Sequence, residues 1–250
     1  MDSEKVKRIY KDLGENNYSF YWNFSKKDIY NIKIIFKKQL SSCEGLFYHC
    51  GQISEIDMSK FDCTKVLSCN GMFFQEDDNK LKTITLGNLD FSLVSDFTEM
   101  FCFCNNLEKL DVTNFNTKNS KSFKSMFYYC EKLQEIDVSK FNTSKVENIN
   151  GMFNNCSCIT EIDMIGWDMS NLKYENEYQE NPVGYLFFEC SKLKKIKISG
   201  NLPEYKDNKS LEGNIFTGIP EFGELILKKD LICNFPLDGN IPQNWVRIKE

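Results

Sequence analysis

The residues able to do chemistry in this 250-residue chain are few in kind and regular in spacing. His49 is the single histidine, set in Tyr48-His49-Cys50. A hydrolytic nucleophile needs a base within reach, often on a Gly-x-Ser-x-Gly elbow, and the chain has no such elbow. Glycine loops of the P-loop or dinucleotide type, which cradle phosphates with backbone amides, are also missing. Cys102-Phe-Cys104 and Cys156-Ser-Cys158 leave one residue between thiols, whereas structural zinc sites leave two to four. These patterns predict a protein that is not an enzyme and that holds no metal and no cofactor.

Eleven cysteines cannot all pair within one chain, and free thiols are the rule in a reducing compartment. Cys50, Cys104, Cys130, Cys156 and Cys190 each fall three residues after a phenylalanine. They read as a row of small hydrophobes filling a turn.

Two other columns are candidates for binding. Asp57, Asp111, Asp137 and Asp163 share one position, which Thr85 and Lys197 occupy elsewhere. Carboxylates stacked at strand spacing repel by about 0.9 kcal/mol each even in water. The column therefore serves a basic partner, a weakly held cation, or its own turns, through Ser59, Thr113 and Ser139 two residues on. The second column is aromatic: Tyr48, His49, Phe74, Phe103, Tyr128, Tyr129 and Phe188. Tyrosine and phenylalanine anchor interfaces, so these rings predict a surface for a protein partner, unless they merely shield the neighbouring turn.

These columns exist because the chain repeats. Phe47, Phe73, Phe101, Phe127, Phe153, Phe187 and Phe216 recur at intervals of 26, 28, 26, 26, 34 and 29 residues. Residues 47–71 and 127–151 share 13 identities in 25 positions. From Phe127 onward the apolar positions are Cys130, Leu133, Ile136, Val138, Phe141, Val146, Ile149 and Met152. In the preceding unit only Ser120 breaks that pattern, and extra residues enter near Asp77-Asp78 and around Tyr174–Pro182. Ile136-Asp137-Val138 alternates as a strand does, while Val146, Ile149, Met152 and Phe153 have helical spacing that a short extended piece plus a turn would also fit.

One unit buries too few side chains to offset the entropy of ordering it, so neighbouring units must stack. Stacks need capped ends. Ser3–Val6, Ile9, Tyr10, Leu13 and Gly14 predict a short amphipathic helix, and Tyr18–Trp22 an aromatic segment packed on the first unit. Ile241–Val246 predicts a closing strand or lid.

Composition narrows the partners. Thirty-six acids against 31 bases give a net charge of −5, which disfavours nucleic acid. No apolar run approaches the roughly 20 residues of a membrane span. The first residues lack the apolar stretch of a secretory signal, which leads to the expectation of a cytoplasmic protein. The absence of alanine and the 29 lysines against Arg8 and Arg247 read as the codon bias of an AT-rich genome.

The Met-Phe-x-x-Cys and Ile-Asp-x-Ser-x-Phe blocks, clearest in Met126–Cys130 and Ile136–Phe141, resemble the repeat of BspA-like leucine-rich-repeat proteins. The resemblance runs from about Tyr30 to Trp245, and is closest to the branch common in mycoplasmas, spirochaetes and protists. It implies an α/β repeat: a leucine-rich-repeat-like right-handed solenoid of about seven coils of ~26 residues, with a parallel sheet along one face. Residues 1–29 would form an N-terminal cap, 30–235 the solenoid and 236–250 a C-terminal cap. The function implied is a non-enzymatic scaffold binding protein, or alternatively a cell-surface or secreted adhesin.

Overall fold

A computed structural model of the chain describes residues 7–8, 32–34, 36, 38–76, 78–172, 181–198, 214–227 and 241–249. Its strands are β1 (Lys7–Arg8), β2 (Ile32–Lys33), β3 (Glu55–Asp57), β4 (Thr83–Thr85), β5 (Glu161–Met164), β6 (Lys195–Ile198), β7 (Glu224–Leu227) and β8 (Val246–Lys249). Among the described residues they pair in parallel in three sheets, β1-β2, β3-β4 and β5-β6-β7-β8, none of which closes into a barrel. Isolated parallel bridges run from Ser68 through Asp96 and Ser122 to Asn148, and from Lys109 to Glu135.

Parallel pairing places equivalent residues side by side. Ile56 lies opposite Ile84, and Ile162, Ile196 and Leu225 form one row. Those apolar residues are buried while Glu55, Asp57, Thr83 and Thr85 beside them are exposed, so the two-residue alternation of the sequence sets which side faces the core.

No helix occurs among the described residues, which removes the α component of the expected α/β class. The residues with helical spacing form tight turns instead. Alternate amides leave the repeat: Phe123, Ser125, Phe127 and Tyr129 donate to the carbonyls of Asn148, Asn150, Met152 and Asn154 in the next unit, at 2.8–2.9 Å. The amides between them, on Met126, Tyr128 and Cys130, turn back to the residue three before. Ser125 and Tyr129 hold φ of 52° and 58°, a left-handed backbone that a right-handed helix cannot contain. Turns closing on the third residue bring apolar side chains inward at the same three-and-four spacing as a helix, which is why the pattern misleads.

The turns stack ring on ring. Phe47 and Phe73 lie 5.5 Å apart with planes 2° from parallel, and the row continues through Phe101, Phe127, Phe153 and Phe187 to Phe216. A second row joins Phe115, Phe141 and Trp167, in which Phe141 lies within 3° of parallel to each of the other two. Trp167 is buried and donates its indole N–H to the Val138 carbonyl at 3.0 Å, so its one polar atom is satisfied. Around these rows the core runs continuously from Leu40 to Trp245.

The expected N-terminal helix is corrected at Lys7–Arg8, which pair in parallel with Ile32–Lys33. A residue hydrogen-bonded to a neighbouring strand in extended form cannot also belong to a helix. The remainder of that segment, the stretch Tyr18–Trp22 and most of the insertion, residues 173–180, lie outside the described residues. At the other end β8 pairs with β7, and Trp245 is buried with its indole N–H on the Pro220 carbonyl at 2.8 Å.

Candidate functional site

The acidic column closes turns. Asp111 Oδ1 accepts the Thr113 amide at 3.0 Å and its hydroxyl at 2.6 Å, and Asp137 does the same with Ser139. Asp57 Oδ1 accepts the Ser59 amide and Asp163 Oδ1 the Ile165 amide, both at 2.9 Å. Hydroxyl and amide donors two residues on hold the Asp57, Asp111 and Asp137 carboxyls below the usual carboxylate range. Lys197 interrupts the charge: its ammonium lies 2.8 Å from Glu161 and 3.1 Å from Asp163, and those carboxylates push its pKa up. The same turn recurs elsewhere in the repeat at Asp62–Thr64, Asp90–Ser92, Asn142–Ser144 and Asp168–Ser170.

The cysteine row is interior. Cys104, Cys130, Cys156 and Cys190 donate their thiols to the carbonyls of Phe73, Phe101, Phe127 and Phe153 in the preceding repeat. Burial pushes Cys104, Cys130 and Cys156 well above the ordinary thiol range and Cys190 up to about 12. Such thiols are poor nucleophiles at neutral pH. Among the described residues all ten cysteines are unpaired, and no group of three His, Cys, Asp or Glu is placed to hold a metal ion.

The aromatic column forms a chain of ring contacts from Tyr48 to Tyr129. Tyr48 stacks on His49 at 4.0 Å and on Phe74 at 4.8 Å. Phe74 lies 5.7 Å from Phe103, which meets Tyr129 at 5.0 Å and Tyr128 edge-on at 5.5 Å. Tyr48 is 48% exposed, and Phe74, Phe103, Tyr128 and Tyr129 are each half-buried. The rings thus shield one another and still present their faces. The next unit carries Asn154 and Asn155, so the row stops there; Phe188 meets Tyr185 separately.

Sequence reading missed the residues where the repeat breaks after Phe73. Gln75 is fully buried and its Nε2 donates to the carbonyls of Phe47 at 2.9 Å and Phe73 at 3.0 Å. It takes over the contact that cysteine thiols make in the other repeats. Asn79 Nδ2 fastens the inserted residues to the carbonyls of Glu76 and Phe103 and to Asn105 Oδ1, at 2.6–2.8 Å. Glu76 reaches back to His49, Oε1 to Nδ1 2.7 Å. The only sequence signal was the two-residue change of period.

A family model described as a Mycoplasma protein of unknown function, DUF285, matches residues 74–182. The match is compatible with the mycoplasma-type repeat and covers Phe103, Tyr128 and Tyr129. No curated protein and no solved structure matches the chain. No helix among the described residues is long and apolar enough to cross a membrane.

Proposed function

We propose that this chain is a non-enzymatic scaffold of the BspA-like type, a right-handed leucine-rich-repeat-like solenoid that binds a protein partner along its aromatic row. The observation carrying this reading is the unbroken contact of Tyr48, Phe74, Phe103, Tyr128 and Tyr129 across four successive repeats. Rings held by their neighbours lose little conformational freedom when a partner covers them, which is what an interface anchor requires. The acidic column is assigned to turn closure and not to the partner. Unpaired thiols support action in a reducing cytoplasm.

The test is capture of partners from the native cell extract by the immobilised full chain, compared with the Tyr128→Ala, Tyr129→Ala double variant. The variant is expected to keep its circular dichroism and thermal midpoint within a few degrees and to lose the captured protein. Unchanged capture overturns the reading. Fractionation with the outer cell surface, and capture of host-surface proteins only, would favour an adhesin.

A further inference from the structure

Gln52, Lys80, Asn106, Lys132, Cys158 and Lys192 hold one position in six successive repeats, so that lysine alternates with another side chain. Each lysine reaches back one repeat. Lys80 Nζ donates to Gln52 Oε1 at 2.7 Å, and Lys132 Nζ to Asn106 Oδ1 at 2.6 Å. Lys192 makes the same reach, but its acceptor is a thiol, Cys158 Sγ, at 3.5 Å. An amide oxygen in that place is inert, whereas a sulfur can be oxidised. The pair is also accessible: Cys158 is half-buried and Lys192 exposed, while eight of the ten described cysteines are buried. Cys50, the other half-buried thiol, donates to the Tyr48 carbonyl of its own turn instead.

We propose that Cys158 and Lys192 form an oxidation-sensitive staple between repeats, closing into a covalent sulfenamide when hydrogen peroxide reaches the thiol. In the first step peroxide transfers one oxygen atom to the sulfur and is reduced to water, and the thiol becomes a sulfenic acid. In the second the lone pair of the deprotonated Lys192 amine displaces hydroxide from that sulfur. The S–O bond breaks, the S–N bond forms, and a proton from the amine joins the hydroxide as a second water. Nζ already lies 3.5 Å from Sγ on a flexible stem, so this closure outpaces a second encounter with peroxide. The bond joins the repeats of Phe153 and Phe187 across the longest interval in the row and closes a loop of 34 residues. Two equivalents of a thiol reductant restore Cys158 and Lys192 and leave as their own disulfide.

The experiment exposes the full chain to a small excess of hydrogen peroxide, blocks remaining thiols by alkylation, and digests it without reductant for mass spectrometry. The peptides holding Cys158 and Lys192 are expected to appear joined, two hydrogen atoms lighter than their sum, and to separate after treatment with a thiol reductant. The oxidised chain should melt a few degrees higher than the reduced one, because the closed loop restricts the unfolded state. Lys192→Gln and Cys158→Ser change only the surface and should keep the parent's circular dichroism while losing both the joined peptides and the rise in midpoint. In Lys192→Gln the sulfenic acid should persist and be trapped by dimedone, whereas in the parent trapping should fade as the bond closes. Recovery of Cys158 only as thiol, sulfinic acid or disulfide overturns the proposal. So does a joined pair that carries an added oxygen atom, or a rise in midpoint that survives in Lys192→Gln.

Discussion

Cys130 Sγ lies 3.1 Å from the carbonyl oxygen of Phe101, one repeat earlier. That oxygen already accepts the amide of Cys104, so the thiol engages its second lone pair. The position therefore calls for a side chain that is small, apolar and a weak donor, and cysteine is all three. Where cysteine is missing, Gln75 brings an amide N–H to the equivalent carbonyl of Phe47.

Cys130→Ala deletes that contact and leaves a sulfur-sized void in the core beside the Phe101 carbonyl. Stability is expected to fall by about 1–2 kcal/mol, read from urea unfolding. A variant as stable as the parent would show that the thiol contributes neither through its hydrogen bond nor through its packing.

Thiol reactivity should sort by burial. Cys158 is half-buried with Lys192 Nζ 3.5 Å from its sulfur, whereas Cys104, Cys130 and Cys156 are fully buried with raised pKa. Alkylation of the native chain followed by peptide mass spectrometry should mark Cys158 well before those three, with all labelled equally in denaturant.

Ser120 is fully buried, its Oγ has no hydrogen-bond partner, and Val94 and Val146 hold its place in the flanking repeats. Ser120→Ala removes a desolvated hydroxyl without adding bulk and is expected to raise stability by about 1 kcal/mol. Ser120→Val should gain further if the site accommodates the added methyls; a loss in both variants would show that the hydroxyl is satisfied in solution.

Acid should loosen the fold through its turns. The Asp57, Asp111 and Asp137 carboxyls titrate below the usual carboxylate range because folded donors favour the anion. Their contribution is complete above the unfolded pKa and is lost as pH falls through the lower folded values. Thermal midpoints should therefore drop more steeply below about pH 4 for the parent than for Asp111→Asn with Asp137→Asn. The amide oxygen of asparagine still closes the turn, as Asn142 does for Ser144, but does not titrate in this range. At neutral pH the double variant should leave partner capture intact.

A Cβ on Gly223 would stand 2.5 Å from the Trp245 indole and 2.7 Å from the Lys194 carbonyl. Gly223→Ala is expected to expel Trp245 and unpair β8 from β7, costing about 1–3 kcal/mol. Red-shifted tryptophan emission and faster proteolysis after residue 240 would report it; unchanged emission would not fit the packing.

From residue order alone, the stacking partners were already decided. Phe101, Phe127 and Phe153 share one offset, and a parallel ladder can only align equal offsets, so their rings meet. The in-and-out alternation of Ile56 and Ile162 was equally plain. The turn-forming aspartates were legible as one of two alternatives, and the hydrogen bonds to Thr113 and Ser139 show what they hold. The path of the return was not legible, because side-chain spacing records which residues face inward but not which carbonyl each amide chooses. Glycine at Gly45, Gly71 and Gly151, equivalent to Ser125, was the sole hint of a left-handed backbone there. Gln75 and Asn79 had no repeat to announce them. Their partners, Phe47 and Phe103, lie 28 and 24 residues away in opposite directions, and only the packed chain brings those carbonyls to the two amides.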